Sequence, residues 1–323
     1  MRRVYIIRAR CVKAYPHTAK QRASLIHRIA SLIMKIMIRT WKITTAATEE
    51  IDFPDITSLD AITRQSPEGY YSTFRTFDGC TRALGLTAHL RRLYEPVPTP
   101  EVSESFLRRQ LLALLEPYRP DEARVRVMMT KQGKAYIAIE PLRPLPRAVY
   151  ESGVRVETTD LHRDHPRLKS TSFIVTSDSE RKHIAEEGIF EALLVKNGET
   201  LEGMTSNFFY VIYHRAERNE VQTKRDAILC TAQNDILLGI TRKTVIEVAR
   251  GRGVEVKYEA LNLDQLGAID EAFITSSSRG IVPVVKIDNI TIGQGRPGPI
   301  TKELAAAYDQ YVIEKAERIL PVK

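Results

Sequence analysis

The sequence predicts a mixed α/β fold of the α+β type, divided into two domains. Strand-like and helix-like segments alternate along most of the chain, and 323 residues are enough for two domains with separate cores. A stretch containing Pro141, Pro144 and Pro146 interrupts this alternation, as a stiff connector does. We therefore expect a small domain at residues 50–143 and a larger domain at residues 150–320.

Positive charge is concentrated at the start of the chain. The net charge is +8, from 48 Lys and Arg against 40 Asp and Glu. Residues 1–48 contain eleven Lys and Arg and no acidic residue, which leaves a net charge of −3 for the rest of the chain. Because the positive charge belongs to this segment and the rest of the chain is slightly acidic, we exclude nucleic-acid binding as the main function.

Residues 1–48 are expected to form a basic extension outside the folded body. They are rich in Arg and carry an amphipathic helical pattern at about residues 22–39, which is typical of an organelle transit peptide. The alternatives are a start codon placed too early, with Met34 or Met37 as the true start, and a disordered basic tail. The expected location is the cytoplasm, or an organelle if the extension is a transit peptide.

The cysteine and hydropathy patterns exclude two further classes. Cys11, Cys80 and Cys230 are far apart and form neither a metal-binding motif nor a disulfide framework, which is typical of a reducing compartment. The most apolar stretch near the start, residues 29–38, contains Lys35 and is too short to span a bilayer. We expect no metal site and no membrane partner.

In the small domain, the clearest strand is predicted at residues 70–77. These residues are aromatic and β-branched, and an Asp-Gly pair after them predicts a hairpin turn. A Ser that can cap the first turn favours an amphipathic helix at 103–115. Residues 51–65 are polar and broken by proline, so no element is predicted there. The remaining elements are a helix at 88–94 and strands at 124–130 and 135–140.

In the large domain, Lys196-Asn197-Gly198 predicts a hairpin turn before an unusual stretch at residues 201–211. This stretch places Glu, Gly, Ser and Asn before an aromatic run. Such residues are poor strand formers, so we expect an irregular turn that begins at Glu202. The other predicted elements are strands at 154–158, 191–195, 254–259, 271–275 and 281–288, and helices at 181–187, 239–250, 263–267 and 300–319.

Four separated features make chemical sense together. Lys169 lies in a loop rich in Ser and Thr, and Glu202 begins the turn just described. Residues 239–241 begin a helix whose free N–H groups can bind a phosphate, and the three serines at 276–278 can add donors. A lysine, a carboxylate and an anion cradle are what pyridoxal 5′-phosphate requires. Spacing alone does not establish this function, because most lysines are solvated surface residues.

The same segments resemble the class IV aminotransferases, also called fold-type IV pyridoxal-phosphate enzymes. This family includes branched-chain aminotransferases, D-amino-acid aminotransferases and 4-amino-4-deoxychorismate lyases. The matching pieces span about residues 69–288 in the family's order. They are His89-Leu90-x-Arg92-Leu93, the loop lysine Lys169, Glu202-Gly-x-x-Ser206-Asn207-x-Phe209, Leu237-Leu238-Gly239-Ile240-Thr241-Arg242, and Phe273-Ile-Thr-Ser276-Ser277 followed by Pro283-Val284.

The resemblance implies a role for each matched residue. Lys169 resembles the lysine that forms a Schiff base with the cofactor and moves a proton, Glu202 the carboxylate at the pyridine nitrogen, and Arg92 the phosphate-binding arginine. The resemblance also implies a cofactor in the cleft between the domains and a homodimer. The expected catalytic residue is Lys169, and the expected cofactor-binding residues are Arg92, Lys169, Glu202, Ile240, Thr241, Ser276 and Ser277.

The implied reaction is transamination between an amino acid, with branched-chain amino acids as one candidate class, and a 2-oxo acid. Ile174 stands where the branched-chain enzymes have Tyr, and Ser72-Thr73 stand where many aminotransferases of the family have Glu. Tyr71-Ser72-Thr73-x-Arg75 is closer to the lyase pattern. Release of pyruvate and 4-aminobenzoate from aminodeoxychorismate is therefore the alternative, and a catalytically silent family member is a third reading.

Three basic residues of the small domain are weaker candidates for binding the carboxylate of a substrate. Arg124, Arg126 and Lys131 lie on or beside one predicted strand. Basic residues on strands are mostly solvated, so we expect all three to be exposed charges.

Overall fold

A computed structural model describes residues 38–214 and 226–320. Most of the helical pattern predicted at 22–39, together with Met34 and Met37, lies outside these ranges. Within them, no helix is long and apolar enough to cross a membrane. The same residues contain no group of three His, Cys, Asp or Glu side chains that could hold a metal ion.

The small domain is built on an antiparallel sheet. Within the described chain its strands are β1 (Arg39–Ile43), β2 (Thr48–Ile51), β3 (Gly69–Phe77), β4 (Arg82–Ala83), β5 (Ala123–Thr130), β6 (Ala135–Pro141) and, from the end of the chain, β17 (Glu317–Arg318). Their order is β17-β4-β3-β5-β6-β1-β2. Asp78 and Gly79 adopt φ angles of 55° and 60° in the turn after β3, as the Asp-Gly pair predicts.

Helices cover both faces of this sheet. The α3 helix (Glu104–Leu115) begins where Ser103 Oγ accepts a hydrogen bond from the Phe106 N–H at 3.3 Å. Apolar side chains of α3 and of α2 (Leu86–Tyr94) share one core with the sheet. A smaller core on the other face contains side chains of α1 (Leu59–Gln65).

The boundary predicted at residue 48 is wrong. The β1 strand pairs with β6 along its whole length, so Arg39–Ile43 belong to the small sheet and not to a basic extension. Trp41 and Ile43 are 4% and 0% exposed. Trp41 and Ile43 point to one face of β1, and Lys42 between them points to the other, as in a half-buried strand. The small domain therefore includes residues 39–43, which lie before the start predicted at residue 50.

Two other elements differ from the prediction. The α1 helix forms inside the polar stretch 51–65, because Leu59 and Ile62 lie three residues apart and both reach the core. The last helix ends at Lys315 and not at 319. The β17 strand after it pairs with β4, so the end of the chain returns to the small domain.

The large domain contains a mixed sheet that closes on itself. Its described strands are β7 (Val154–Thr159), β8 (Glu191–Lys196), β9 (Glu199–Gly203), β10 (Asn207–Tyr213), β11 (Ala227–Cys230), β12 (Glu255–Lys257), β13 (Leu261–Asn262), β14 (Glu271–Ser276), β15 (Gly280–Ile287) and β16 (Ile290–Thr291). Their order is β12-β11-β10-β14-β15-β7-β8-β9-β13, with β16 beside β15.

Glu202 and Asn207 form the pair that joins β9 to β10 and closes the ring of strands. Glu202 therefore lies in a strand, whereas the sequence predicted that it begins a turn. The irregular turn is the short segment between β9 and β10. Strand pairing on both sides of β9 outweighs the low strand propensity of its residues.

Apolar side chains pack on both faces of the large sheet. Phe208 and Phe209 lie in different cores, as expected for successive residues of a strand. The Phe209 ring stacks on Phe273 with centroids 5.0 Å apart. The described helices of this domain are α4 (Arg147–Ser152), α5 (Ser172–Thr176), α6 (Asp178–Glu186), α7 (Ile240–Gly251) and α8 (Pro299–Lys315).

The loop of Lys169 joins the large domain to the small sheet. The Tyr71 N–H donates to the Lys169 carbonyl, and the Thr171 N–H donates to the Gly69 carbonyl, both at 2.9 Å. This loop therefore acts as a short added strand beside the start of β3. The backbone of Lys169 is therefore hydrogen-bonded to the small domain, although residue 169 lies within the sequence range of the large domain.

Candidate active site

All of the predicted site residues line one cleft between the two domains. The cleft has a volume of about 1010 Å³, which is large enough for a cofactor together with a small substrate. Its walls include the seven side chains predicted from the sequence, which are Arg92, Lys169, Glu202, Ile240, Thr241, Ser276 and Ser277.

Lys169 is half-buried, with its amine over an aromatic ring. Lys169 Nζ lies 4.9 Å from the centroid of the Tyr71 ring, which Arg126 also contacts. Burial lowers the pKa of Lys169 well below its ordinary value, and the nearby cations Arg163 and Arg92 lower this pKa further. A lowered pKa increases the neutral fraction of the amine, which is the form that attacks an aldehyde.

The Glu202 carboxylate is 2% exposed and accepts hydrogen bonds on both oxygens. Oε1 accepts from Arg163 Nε at 2.9 Å, and Oε2 accepts from Asn207 Nδ2 and from the Leu237 N–H, each at 3.1 Å. Burial raises the pKa of Glu202 to about 6, although Arg163 and Lys169 act to lower it. Among the described residues, Oε1 has one donor, so it can accept a second hydrogen bond from a group in the cleft.

Two glycines allow the segments around Glu202 to approach closely. A Cβ at Gly239 would lie 2.1 Å from Asn207 Oδ1, and a Cβ at Gly203 would lie 2.2 Å from Ser206 Oγ. Asn207 Nδ2 also donates to the Leu237 carbonyl at 2.8 Å. The start of α7 is therefore fixed next to Glu202 by contacts that a larger residue at 239 would disrupt.

Arg92, in the last turn of α2, has a donor that no described residue uses. Its Nη2 donates to Ser72 Oγ at 2.9 Å, and Ser72 Oγ is also 2.8 Å from His89 Nδ1. Its Nε is buried without a partner among the described residues. Burial lowers the pKa of Arg92 to about 10, so the guanidinium stays charged at neutral pH. Ser72 thus helps to position this arginine.

The start of α7 offers N–H donors near the same place. The helix begins at Ile240, and no described side chain caps it. The N–H groups of its first turn can therefore bind an anion. Thr241 Oγ1 donates to Ser277 Oγ at 3.4 Å, which brings the serine loop to this helix. Ser276 Oγ already accepts a hydrogen bond from Arg279 Nε at 3.0 Å.

Arg163 belongs to the site, although the sequence placed it only in a polar loop. Its side chain is 5% exposed, and its Cζ lies 3.7 Å from the centroid of the Phe173 ring. Besides Glu202, it binds the Met204 carbonyl, to which Nη2 donates at 2.6 Å. These partners are separated from Arg163 along the chain, so the sequence contains no local signal for the role of this residue.

The prediction that Arg126 is an exposed strand charge is wrong. Arg126 is 3% exposed, and its Nη1 donates to Asp60 Oδ1 at 2.6 Å. Asp60 also accepts a hydrogen bond from Arg181 at 3.0 Å. Burial acts to raise the pKa of Asp60, but Arg126 and Arg181 lower it to about 2. Arg124 is half-buried in the same cleft, whereas Lys131 is exposed as predicted.

The donors and acceptors left over in this cleft match the polar groups of pyridoxal 5′-phosphate. The unpaired Arg92 Nε and the uncapped start of α7 suit a phosphate. Glu202 Oε1 suits a protonated pyridine nitrogen, and the amine of Lys169 suits an aldehyde. These complementary groups define the class of protein as a two-domain pyridoxal-phosphate-dependent enzyme.

Comparison with known sequences agrees with this class. A family model described as amino-transferase class IV matches residues 69–287. D-alanine aminotransferase from Bacillus licheniformis is 25% identical over 276 residues, which cover 79% of this chain and 91% of that protein. The branched-chain-amino-acid aminotransferase of Escherichia coli (strain K12) is 34% identical over 140 residues, 43% of this chain and 40% of that protein.

Solved structures share the fold. A fold IV-transaminase from Curtobacterium pusillum has a TM-score of 0.65 at 22% identity, covering 86% of this chain and 99% of that chain. A PLP-bound hypothetical aminotransferase from Mycobacterium tuberculosis has a TM-score of 0.66 at 22% identity, covering 85% and 99%.

The chain belongs to the class IV aminotransferases, because the family model covers more than half of it. The predicted fold class is confirmed. The protein is a pyridoxal-phosphate-dependent aminotransferase that acts on amino acids and 2-oxo acids. The lyase alternative is not favoured, because the relatives described above are aminotransferases.

Proposed function

We propose that Lys169 binds the cofactor covalently and moves the proton during transamination. The observation that carries this assignment is position: among the described residues that line the cleft, Lys169 is the only lysine. When bound, pyridoxal phosphate supplies an aldehyde and a ring that withdraws electrons from the substrate α-carbon. Once the amino group of the substrate displaced it from the cofactor, Lys169 Nζ would be free to take the proton from the substrate α-carbon and return it to the cofactor, and water would release the 2-oxo acid.

The other cleft residues hold the cofactor in this proposal. Glu202 keeps a proton on the pyridine nitrogen, because a buried carboxylate with a free acceptor position strongly favours a cationic N–H. Arg92 and the N–H groups of Ile240 and Thr241 bind the phosphate, together with the Ser277 hydroxyl. Ser276 is a weaker ligand, because its oxygen is already used by Arg279.

Cofactor uptake tests this assignment directly. The purified protein should be yellow, and borohydride reduction should attach the cofactor to the peptide that contains Lys169, as peptide mass spectrometry can detect. A protein that takes up no pyridoxal phosphate would refute the proposal. Reduction onto another lysine would refute the assignment of Lys169 alone.

The amino donor is proposed to be a branched-chain amino acid or D-alanine, the substrates in the names of the relatives described above. Leucine and D-alanine should each be offered with 2-oxoglutarate, and the glutamate formed should be measured. A parallel tube with aminodeoxychorismate provides the contrast. Pyruvate from that tube, without glutamate from the others, would contradict transamination as the main reaction.

We also propose a homodimer in the cytoplasm. Leu238 and Val175 are 50% and 58% exposed, and Leu238 lies between the cleft residues Leu237 and Gly239 in the sequence. A second copy that covers these side chains would also border the cleft. Analytical ultracentrifugation should give a dimer mass, and Leu238→Ser should weaken the dimer; a monomer at micromolar concentration would contradict this. Cell fractionation tests the location.

A further inference from the structure

Arg163 has one guanidinium nitrogen that no described residue binds. Its Nε donates to Glu202 Oε1, and its Nη2 donates to the Met204 carbonyl. Its Nη1 is buried and has no partner among the described residues. A buried donor without an acceptor is costly, so such a donor in a ligand cleft indicates that an atom of the ligand completes its hydrogen bonding.

The direction of this free donor is fixed. The guanidinium plane is held at two of its nitrogens and packs on the Phe173 ring with Cζ 3.7 Å from the centroid. Only 5% of the side chain is exposed, so Nη1 cannot turn to bulk water without breaking these contacts. Arg163 is therefore preorganised for an acceptor inside the cleft.

The position of Arg163 identifies that acceptor. Arg163 binds Glu202 directly and, after burial, lowers the pKa of Lys169 more than any other group does. In pyridoxal phosphate, the ring nitrogen and the aldehyde carbon lie on opposite sides of the ring. One edge between them carries the phosphate arm, and the other carries the ring oxygen. Arg92 and the start of α7 suit the phosphate edge, which leaves the oxygen edge for Arg163.

We propose that Arg163 is a cofactor-binding residue, with Nη1 donating to the ionised ring oxygen while Nε holds Glu202 at the ring nitrogen. This inference rests on the proposed function of the cleft. A guanidinium suits the task because its planar fork can donate to two separate acceptors at once. The ammonium of lysine is compact, and glutamine is too short and uncharged to bridge both.

The proposal predicts a shift in the pH at which the visible absorption of the bound cofactor changes. The ring oxygen lies beside the nitrogen through which Lys169 holds the cofactor, and it helps to retain the proton on that nitrogen. A charged donor on the ring oxygen therefore lowers the pKa of that nitrogen. The other charged residues that face Glu202 and Lys169 are Arg92 from α2, Arg126 from β5 and Arg242 from α7, and the test leaves them unchanged.

The test is a pH titration of the visible absorption of the cofactor-loaded protein. Arg163→Gln should raise the titration midpoint by about one pH unit or more. Arg181→Gln is the matched control, because Arg181 also lines the cleft but binds Asp60. Its midpoint should stay at the wild-type value. An Arg163→Gln midpoint equal to that of the control would overturn the proposal.

A second variant covers the case in which Arg163→Gln does not fold. Arg163→Lys keeps the charge but loses the fork, so its midpoint should lie between those of the wild type and the glutamine variant. An Arg163→Lys protein that titrates like the wild type would contradict the two-contact geometry. A wild-type protein that binds no cofactor would overturn the proposed function as well, whereas normal binding without a shift would overturn only the role of Arg163.

Discussion

At the scale of single residues, the amine of Lys169 has the largest expected effect. We expect Lys169→Ala to abolish turnover, because no other described lysine lines the cleft and can move the proton. Amino-group transfer to 2-oxoglutarate measures this loss. Lys131→Ala is the control, since Lys131 is 50% exposed and pairs with Glu68 away from the cleft. Measurable turnover in Lys169→Ala would show that the lysine is misassigned.

Glu202→Gln should lower kcat much more than it weakens the binding of pyridoxal phosphate. The change removes a charge beside the ring nitrogen but keeps the shape of the side chain, so kcat should fall on the order of 100-fold. The Kd for pyridoxal phosphate should change much less, because phosphate contacts dominate anchoring. Glu140→Gln, at a carboxylate of the same cleft paired with Arg124, should leave kcat near the wild-type value. A loss of affinity alone would contradict the assigned role of Glu202.

Glu202 should also make the stability of the cofactor-free protein depend on pH. Burial raises its pKa from 4.5 to about 6 in the folded state, so folding favours the protonated form. The stabilisation by this proton is full below pH 4.5 and is lost as the pH rises through about 6. The loss is about 2 kcal/mol. Relative to Glu202→Gln, the Tm of the wild type should therefore fall across this window; a constant difference in Tm would disprove the shift.

Residues of the site differ in how far the sequence predicts them. Glu202 and Gly239 can be recognised from the local sequence, because an acidic residue beside a predicted strand and a glycine directly before a predicted helix are both uncommon. The sequence around Arg163 and Arg126 contains no such signal. Both are buried because acceptors from distant segments neutralise them, and a charged residue on a loop or strand is by default solvated.

At the scale of elements, the start of α7 is sensitive to the addition of a single methyl group. Gly239→Ala would place a Cβ 2.1 Å from Asn207 Oδ1. The resulting shift should cost about 1–3 kcal/mol of stability and weaken cofactor binding. Gly251→Ala, at the other end of the same helix, meets no atom within 4 Å and should stabilise the protein by up to about 1 kcal/mol. Thermal unfolding and cofactor titration of both variants make the comparison.

Equal effects of the two substitutions would contradict the close approach at the start of α7. Only the alanine at 239 should release Glu202, because the Leu237 N–H and Asn207 hold both the carboxylate and the turn.

The sequence predicted elements well where one periodicity extends over a long segment. β3, β5 and α3 are each within one residue of the prediction. It failed where an element depends on distant partners. β1 is basic and needs β6 to form, α1 is only seven residues long, and β17 forms because β4 is nearby. Local propensity contains none of this information.

At the scale of the whole molecule, the last residues connect the large domain back to the small one. Ile319 is fully buried in the core of the small domain, whereas the neighbouring Leu320 is 39% exposed. Ile319→Ala should cost about 2–5 kcal/mol and lower the Tm. Leu320→Ala should change stability by less than about 0.5 kcal/mol. Similar melting temperatures for both variants would show that the end of the chain does not contribute to that core.

The attachment of Lys169 to β3 has a further consequence for motion. The lysine backbone is fixed to one domain, and Glu202 lies in the closed sheet of the other. Any rotation about the connector at residues 142–146 would change the separation of the two groups that must act on one ring. Opening and closing of the two domains at each turnover would therefore move Lys169 away from Glu202. Catalysis requires instead that the contact between the domains keep Lys169 and Glu202 at one separation while both act on the ring.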